Sequence, residues 1–552
     1  MGALDGVDLS RVSDPVAVQI IEALLADNRA LRETVQQLRD EVARLKGEQG
    51  KPLVRAQAKR RDVSSEGERP ADPAPSRRAR PNRRLLLVVR EVACPVDRAS
   101  LPADAVLTGY QAHEVQEVVL YGEQVRYLRE CWYAASSGRR YLGALPAGVQ
   151  GHFGPQVKAL ALFLYQASGL SEPKILELLG AVGLQVSAGT LSGWLLGDVA
   201  GLHGEAAAVY LAGLACSPWQ QMDDSLTRVN GENYHCQVVC NPLYTSYHTV
   251  AGKNRLSIVD VLRPGQEGIY LLNDLALDWL ATVGMSAGMR QQVVSALPRD
   301  TLVDQAGLRE LLRTQLGHLG DQQQSRIYDA LAIAAYQSQT TLPVVEMLVC
   351  DDAGQFVGVT VGRALCWVHD ARHYKKLLPS SWDHQAVLAI FLTLYWTFYR
   401  DLLAYRTQPT AADATRLRAA FDTLFATITG YPALDERIAK TRAHRDDLLR
   451  VLDHPELPLH NNRSELAVRR RVRKRDVSFG PRTPAGAHAW DSLQTLAATA
   501  QIHGVNFLHY LQDRISGAYR LPSLATLISQ RAPALRLDAS WHPTPPTLAL
   551  AS

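Results

Sequence analysis

The sequence predicts an α/β chain of several domains: an N-terminal coiled coil, a helical region, and a sheet-centred domain interrupted by helical insertions. Three observations carry this reading. A hairpin pattern follows Trp219, where residues 233–239 alternate, Asn241-Pro242 turns, and residues 243–250 return. The apolar run 343–350 reads as a buried strand and ends at Asp351. A helix opens at the Asn461-Asn462 pair and carries Glu465.

Each part has its own justification, beginning at the N-terminus. Leu24, Leu31, Leu38 and Leu45 recur every seven residues, and Ile21, Asn28, Val35 and Val42 precede each by three. Leucine at d with β-branched residues at a favours a parallel two-stranded coil, and one Asn at a fixes its register. Residues 1–48 are therefore expected to be a dimerisation arm. Residues 49–84 lack periodicity and are rich in Pro, Arg and Ser. They hold eleven Lys/Arg, Lys59, Arg60 and Arg61 among them, against four acids. That composition reads as a basic, disordered linker. Residues 85–145 read as a small β-rich region, with a strand over 85–94 and an aromatic hairpin around Tyr127, Trp132 and Tyr133. Residues 146–215 turn helical: helices over 155–168, 172–179 and 187–196, a Gly183 turn and a Ser187 N-cap give a helix-turn-helix-like layout. The sheet-centred domain spans 216–515, with helical insertions at about 254–340 and 380–455, and 516–552 reads as a C-terminal tail.

Composition narrows the class of partner. The net charge of +4 is small for 552 residues, so the distribution decides. Beside the linker, residues 463–475 carry seven Lys/Arg against Glu465 alone, and two basic blocks in a near-neutral chain point to a polyanion. Seven scattered cysteines form no disulfide framework, which suits a reducing cytoplasm. The longest apolar stretch, 386–399, falls short of the roughly 20 residues a bilayer span needs, so no membrane is expected. Cys94-Pro-Val-Asp97 is half of a zinc knuckle without the second half. Cys366, His369 and His373 lack a fourth ligand, so zinc is not expected at either place.

Three acids stand where chemistry would want them. Asp223 interrupts or ends a strand, Asp351 follows one, and Glu465 lies in the first turn of a helix. Antiparallel strands, then a central strand ending in Asp, then a helix bearing Glu is the order of a ribonuclease-H-like fold. Such a site holds two Mg²⁺ or Mn²⁺ ions roughly 3.5–4 Å apart on hard oxygen ligands, leaving positions open for water and a phosphate. Each Asp has an Asp neighbour, Asp224 and Asp352, and the first of each pair lies closer to its strand.

The stretch LHNNRSELAVRRRVRKRD at 459–476 resembles the C-terminal signature of bacterial insertion-sequence transposases of the IS66 family: an Asn pair, a Glu three residues on, and an Arg-rich continuation. Residues 486–515 resemble that family's closing helices, and CWVHDARH at 366–373 resembles its Cys-Trp-x-His-x-x-Arg element. The zipper, linker and residues 146–196 are similar in kind and order. Two departures stand out: His460 occupies a position where Asp is common, and the N-terminal zinc element is reduced to Cys94.

The resemblance implies a DDE transposase with Asp223, Asp351 and Glu465 as catalytic metal ligands. It would cut transposon ends and join them to target DNA, working in the bacterial cytoplasm at the nucleoid, with other proteins of the same element as possible partners. Asn461, Asn462, Arg463, Arg469, Arg470, Arg473 and Lys474 would contact DNA beside the metal site, with Lys59, Arg60 and Arg61 on the linker. Cys366, His369 and Arg372 would support the site or touch DNA, and the Asn pair has helix capping as its plain structural role. Zipper, linker and helix-turn-helix alone would also suffice for a dimeric DNA-binding regulator, or for a domesticated transposase without nuclease activity.

The zipper makes a direct prediction. Deleting residues 1–48 shifts the sedimenting mass toward monomer in DNA-free buffer, and Asn28→Val blurs the oligomeric state. A truncated chain that assembles as the full chain does would refute the arm.

Overall fold

The computed structural model describes residues 91–541, apart from single positions at 98, 100, 103, 114, 116, 117, 150, 198 and 380. The coiled-coil arm, the basic linker with Lys59, Arg60 and Arg61, and the first part of the expected 85–94 strand lie outside the described residues.

The expected β-rich region reduces to one hairpin. Residues 91–97 pair with no strand, and the first ladder is β1 (Cys131–Ala134) against β2 (Arg139–Leu142), with Trp132 opposite Tyr141. Both strands keep their aromatic side chains exposed, because nothing in the described chain covers either face.

Next come α1 (Pro155–Gln166), α2 (Glu172–Ala181), α3 (Ala188–Leu196) and α4 (Leu202–Ala215). Proline opens α1 and α2, where its missing N–H costs nothing. The Ser187 side chain caps α3 by accepting from the Thr190 N–H at 3.1 Å. Gly183 takes φ 84° in the turn before it, a backbone conformation that suits glycine. Ala159, Leu162, Ile175, Leu179, Leu191 and Leu195 from these helices share one core with the sheet that follows.

The sheet begins with β3 (Trp219–Val229), β4 (Glu232–Asn241) and β5 (Tyr244–Val250), all antiparallel. Asn230 and Gly231, at φ 52° and 83°, close the first hairpin in the positive-φ turn that matches strand twist. Residues 254–340 then form α5 (Arg255–Leu262), β6 (Ile269–Leu271), α6 (Asp274–Thr282), α7 (Ala287–Ala296), β7 (Leu302–Asp304), α8 (Gln305–Gln315) and α9 (Asp321–Ser338). Side chains of Asn254, Asn273, Ser286 and Asp304 cap four of these helices.

The chain returns to the sheet as β8 (Met347–Cys350) and β9 (Gly362–Leu365), both parallel to β3, giving the order β5-β4-β3-β8-β9. After α10 (Trp367–Lys375) come α11 (Trp382–Thr407), α12 (Ala411–Leu424), α13 (Pro432–Ala443) and the short α14 (Arg445–Leu448). These build a second core of aromatic rings around Trp367, with Tyr374, Phe391, Tyr395, Phe398, Phe421 and Phe425. Helix α11 is 26 residues long and apolar enough to cross a bilayer by length and composition. Its buried residues, Leu388 to Tyr405, pack into this aromatic core.

Helices α15 (Asn462–Ser478), α16 (Pro484–Ile502), α17 (Phe507–Ile515) and α18 (Leu524–Leu535) close the fold. The last of these corrects the expectation of a tail over 516–552: Leu524, Ile528 and Leu537 complete the main core, and the Trp219 indole donates to the Leu537 carbonyl at 2.8 Å.

Helix α15 sits on the sheet through Ala467, which packs with Cys236, Val238, Tyr247 and Ala498. Deeper along it, Arg471 is buried between the Tyr247 and Trp490 rings and donates to Asp491, which also accepts from the Thr249 N–H and hydroxyl at 2.6 and 2.9 Å. Removing one partner of a buried pair strands the other charge. Arg471→Met is expected to lower stability by about 3–5 kcal/mol in urea unfolding, with part recovered in Arg471→Met/Asp491→Asn. A single variant as stable as the parent would show that the pair does not anchor α15.

Candidate active site

Strand register brings the first two carboxylates together. In the parallel pairing of β3 with β8, Gln221 lies opposite Val349. Two residues further on, on the same face, this places Asp223 beside Asp351 just past the end of β8. In the antiparallel direction Asp223 pairs with Val238, which packs on Ala467, so the Asp223 carboxyl lies on the sheet face that α15 covers. Asp351 Oδ1 accepts from the Ala353 N–H at 3.2 Å, which turns the chain out of the strand.

The third carboxylate arrives through a clamp at the start of α15. Asn461 is fully buried, and its amide donates to the Met222 carbonyl at 2.7 Å, one residue before Asp223. Its backbone N–H donates to Cys366 Sγ at 3.2 Å, Gln221 donates to the His460 carbonyl at 2.9 Å, and the Trp367 N–H donates to the Leu459 carbonyl at 3.0 Å. Four hydrogen bonds thus fix the helix entry to β3 and to the end of β9. Glu465 follows one turn later. No side chain caps α15, so the capping role open to the Asn pair is not used.

Glu465 is held from one side only. Arg372 donates to its Oε2 at 3.0 Å and, through its other nitrogen, to His369 Nε2 at 3.0 Å. A guanidinium can only donate, so this His369 nitrogen accepts. Burial holds the imidazole pKa below its ordinary value, against the pull of the Glu465 charge. Although His369 Nε2 stands 3.2 Å from Glu465 Oε1, a neutral ring accepting there offers it no proton. Oε1 is buried without a hydrogen-bond donor.

Asp223 shows the same shortage of positive charge. Its carboxyl is pushed up to about 7, first by burial and further by the Asp351, Glu465 and Asp224 carboxylates, against the Asp224 N–H that it accepts at 2.8 Å. The neighbouring acids are differently engaged. Asp224, on the opposite face, meets Lys253 at 3.0 Å and Gln355 at 3.2 Å. Asp352 meets His444 at 3.0 Å and Arg363 at 3.2 Å.

A desolvated carboxyl beside two others and a buried anionic oxygen without a donor form a set that divalent cations suit, by donor chemistry and by charge. The set is open: among the described residues no three His, Cys, Asp or Glu side chains group closely enough to enclose one ion.

Several residues expected to touch DNA are placed elsewhere. Asn461 is the buried clamp. Lys474 is turned inward, its ammonium against the Tyr165 ring, 3.1 Å from the centroid, and donating to the Tyr165 carbonyl. Burial lowers its pKa to about 7. Arg463, Arg469, Arg470 and Arg473 are exposed and Asn462 is half-buried, but Arg463, Arg470 and Asn462 line a cleft on the flank of α15 away from Glu465. Cys366 is a buried acceptor in the clamp, its thiol pushed up to about 12 by burial. Sequence reasoning missed Gln221, whose only signal was its place two residues before Asp223 on one strand face, and the pairing of Arg471 with Asp491, since the Arg-rich motif does not set Arg471 apart from its neighbours.

Comparison with known proteins adds a family. Residues 336–489 match the model of the transposase IS66 family, a stretch that includes Asp351 and Glu465. The chain is 32% identical over 323 residues to the uncharacterised protein y4jO of Sinorhizobium fredii, covering 58% of this chain and 99% of that protein. No solved structure matches.

Asp223 provides a test that needs no substrate. Its folded pKa of about 7 lies above its ordinary value of 3.8, so its charge costs stability above the ordinary value, fully so beyond about pH 7. In metal-free buffer Asp223→Asn is expected to be more stable than the parent at pH 8, by on the order of 1–4 kcal/mol, and equal to it near pH 4. Adding Mg²⁺ or Mn²⁺ at pH 8 should stabilise the parent and not the variant. Equal melting of both proteins at pH 8 without metal would rule out this strained carboxyl.

Proposed function

Because the chain belongs to the IS66 transposase family, we propose that it is a DDE transposase that cleaves DNA at transposon ends and joins the freed ends to target DNA. The observation that carries the proposal is the convergence of Asp223, Asp351 and Glu465 from two parallel strands and one clamped helix. The strand order β5-β4-β3-β8-β9, three antiparallel strands followed by two parallel ones, supports reading the sheet as ribonuclease-H-like.

Asp223, Asp351 and Glu465 are the residues that would hold two Mg²⁺ or Mn²⁺ ions. Bound there, the ions would supply Lewis acidity to the scissile phosphate and lower the pKa of the attacking water or 3′-hydroxyl. The protein's own contribution is placement. The register of β3 and β8 sets the two aspartates side by side, and the clamp sets the glutamate across from them. Arg372 occupies one Glu465 oxygen and leaves the other without a hydrogen-bond donor. Arg469 and Arg473 are exposed on the same helix and suit the phosphates of a bound strand. Both steps are in-line phosphoryl transfers, so one site serves cleavage and joining.

The test is Glu465→Gln, which keeps size and helix propensity and replaces an anionic ligand by a neutral amide. The variant should fold and bind transposon-end DNA as the parent does, while cleavage and strand transfer fall together by roughly 10²-fold or more. Asp223→Asn and Asp351→Asn should behave alike. Glu456→Gln keeps the oxygen that accepts from Ser540 and should cleave normally. A Glu465→Gln protein that cuts at the parent's rate would leave the DNA-binding regulator as the better reading.

A further inference from the structure

Helix α15 carries two different flanks. Arg463, Leu466, Ala467 and Arg470 follow at i, i+3, i+4 and i+7 and all line one cleft of about 990 Å³. Glu465 leaves the helix roughly 150° around from that stripe. The cleft lies between α15 and α16 above the sheet and is edged by Arg406 and by Leu535 at the end of α18.

Its charge is one-sided. Arg470 donates to the neutral Gln501 at 2.6 Å, and Arg406 to the Pro455 and Glu456 carbonyls at 3.1 and 3.4 Å. Among the described residues no carboxylate forms an ion pair with Arg406, Arg463 or Arg470. The one acid in the lining, Glu456, accepts from the Ser540 N–H and hydroxyl. Between the two exposed arginines stands Leu466, half exposed at 52%, with Ile502 among the apolar residues of the lining.

We propose that this cleft is a second nucleic-acid site, which takes an unpaired single strand of DNA, with phosphates on Arg463 and Arg470 and base faces against Leu466 and Ile502. Cations that follow the backbone beside side chains that meet the base faces are the general means of holding a single strand, and here aliphatic side chains stand where aromatic rings commonly do. The volume lies at the upper end of the ~300–1,000 Å³ typical of ligand pockets, which is room for unstacked nucleotides. The site rests on the reading of the chain as a DNA-acting protein but not on the triad, so α15 would serve chemistry on one flank and strand holding on the other.

The probe is a fluorescein-labelled twelve-residue thymidylate strand, bound to the full-length protein in EDTA. Arg463→Gln/Arg470→Gln should weaken binding at least tenfold and flatten the slope of log K against log salt by roughly 1.4, two phosphates at about 0.7 each. Leu466→Ala should weaken the single strand and leave duplex binding unchanged, and Arg313→Gln, exposed on α8 and outside the cleft lining, should bind as the parent does. With 5-iodouracil in the strand, photo-crosslinks should map to Arg463, Leu466, Arg470 or residues 498–502 and not to Glu465 or Arg469, a readout independent of how well a variant folds. Crosslinks confined to other segments, or a double variant with the parent's affinity and slope, would overturn the proposal. Asp351→Asn should bind the strand normally, so a chain that holds the strand but never cuts would refute the proposed activity and leave this site standing.

Discussion

One buried amide governs the geometry of the candidate site. Asn461 has no access to solvent, yet it donates to the backbone of the strand that carries Asp223, and its own N–H is taken by Cys366 at the end of β9. Its two N–H groups are bonded and allow the junction little freedom, while its Oδ1 is left without a donor. The entry of α15 is thereby set against two strands at once. Glu465, one turn on, inherits its position from that junction, as does the arginine pair on the opposite flank.

The carboxylates illustrate the difference between stability and use. Three acids come together here, one of them desolvated and another with an oxygen that has no donor, an arrangement that costs stability. The remaining acids nearby are neutralised in ordinary ways, Asp224 by Lys253 and Asp352 by Arg363. The contrast between Asp223 and Asp224 follows from strand alternation, which sends neighbouring side chains to opposite faces, whereas Asp352 lies in the bend after β8. The deficit of positive charge is therefore local, confined to the face that α15 covers.

Much of this was legible in the sequence, for identifiable reasons. Asp351 could be placed because a short apolar run can only be a buried strand or helix segment, and four to eight residues favour the strand. Glu465 could be placed because an Asn pair before a charged, periodic run marks a helix start. The role of Asn461 was not legible, since a cap and a buried clamp look identical in one dimension. Lys474 was misread for a related reason: in an Arg-rich helix every charge looks solvated, although Ser464, Ala467, Arg471 and Lys474 recur at the three-four spacing of a buried face. The tail was misread because its apolar residues, Leu524, Ile528 and Leu537, are sparse and find their partners some three hundred residues upstream, beside Trp219.

The position of α18 and of Glu465 in the chain also sets an order of events during synthesis. Asp223 and Asp351 leave the ribosome well before the third carboxylate, with the whole aromatic subdomain between. The 114 residues from Asp351 to Glu465 take on the order of ten seconds to add. The segment that closes the core beneath Trp219 comes later still, at Leu537. A nascent or prematurely terminated chain ending before Asn462 therefore holds two carboxylates, no clamp and an open core. The candidate site is complete only once Asn461 and Glu465 have been added and have met β3.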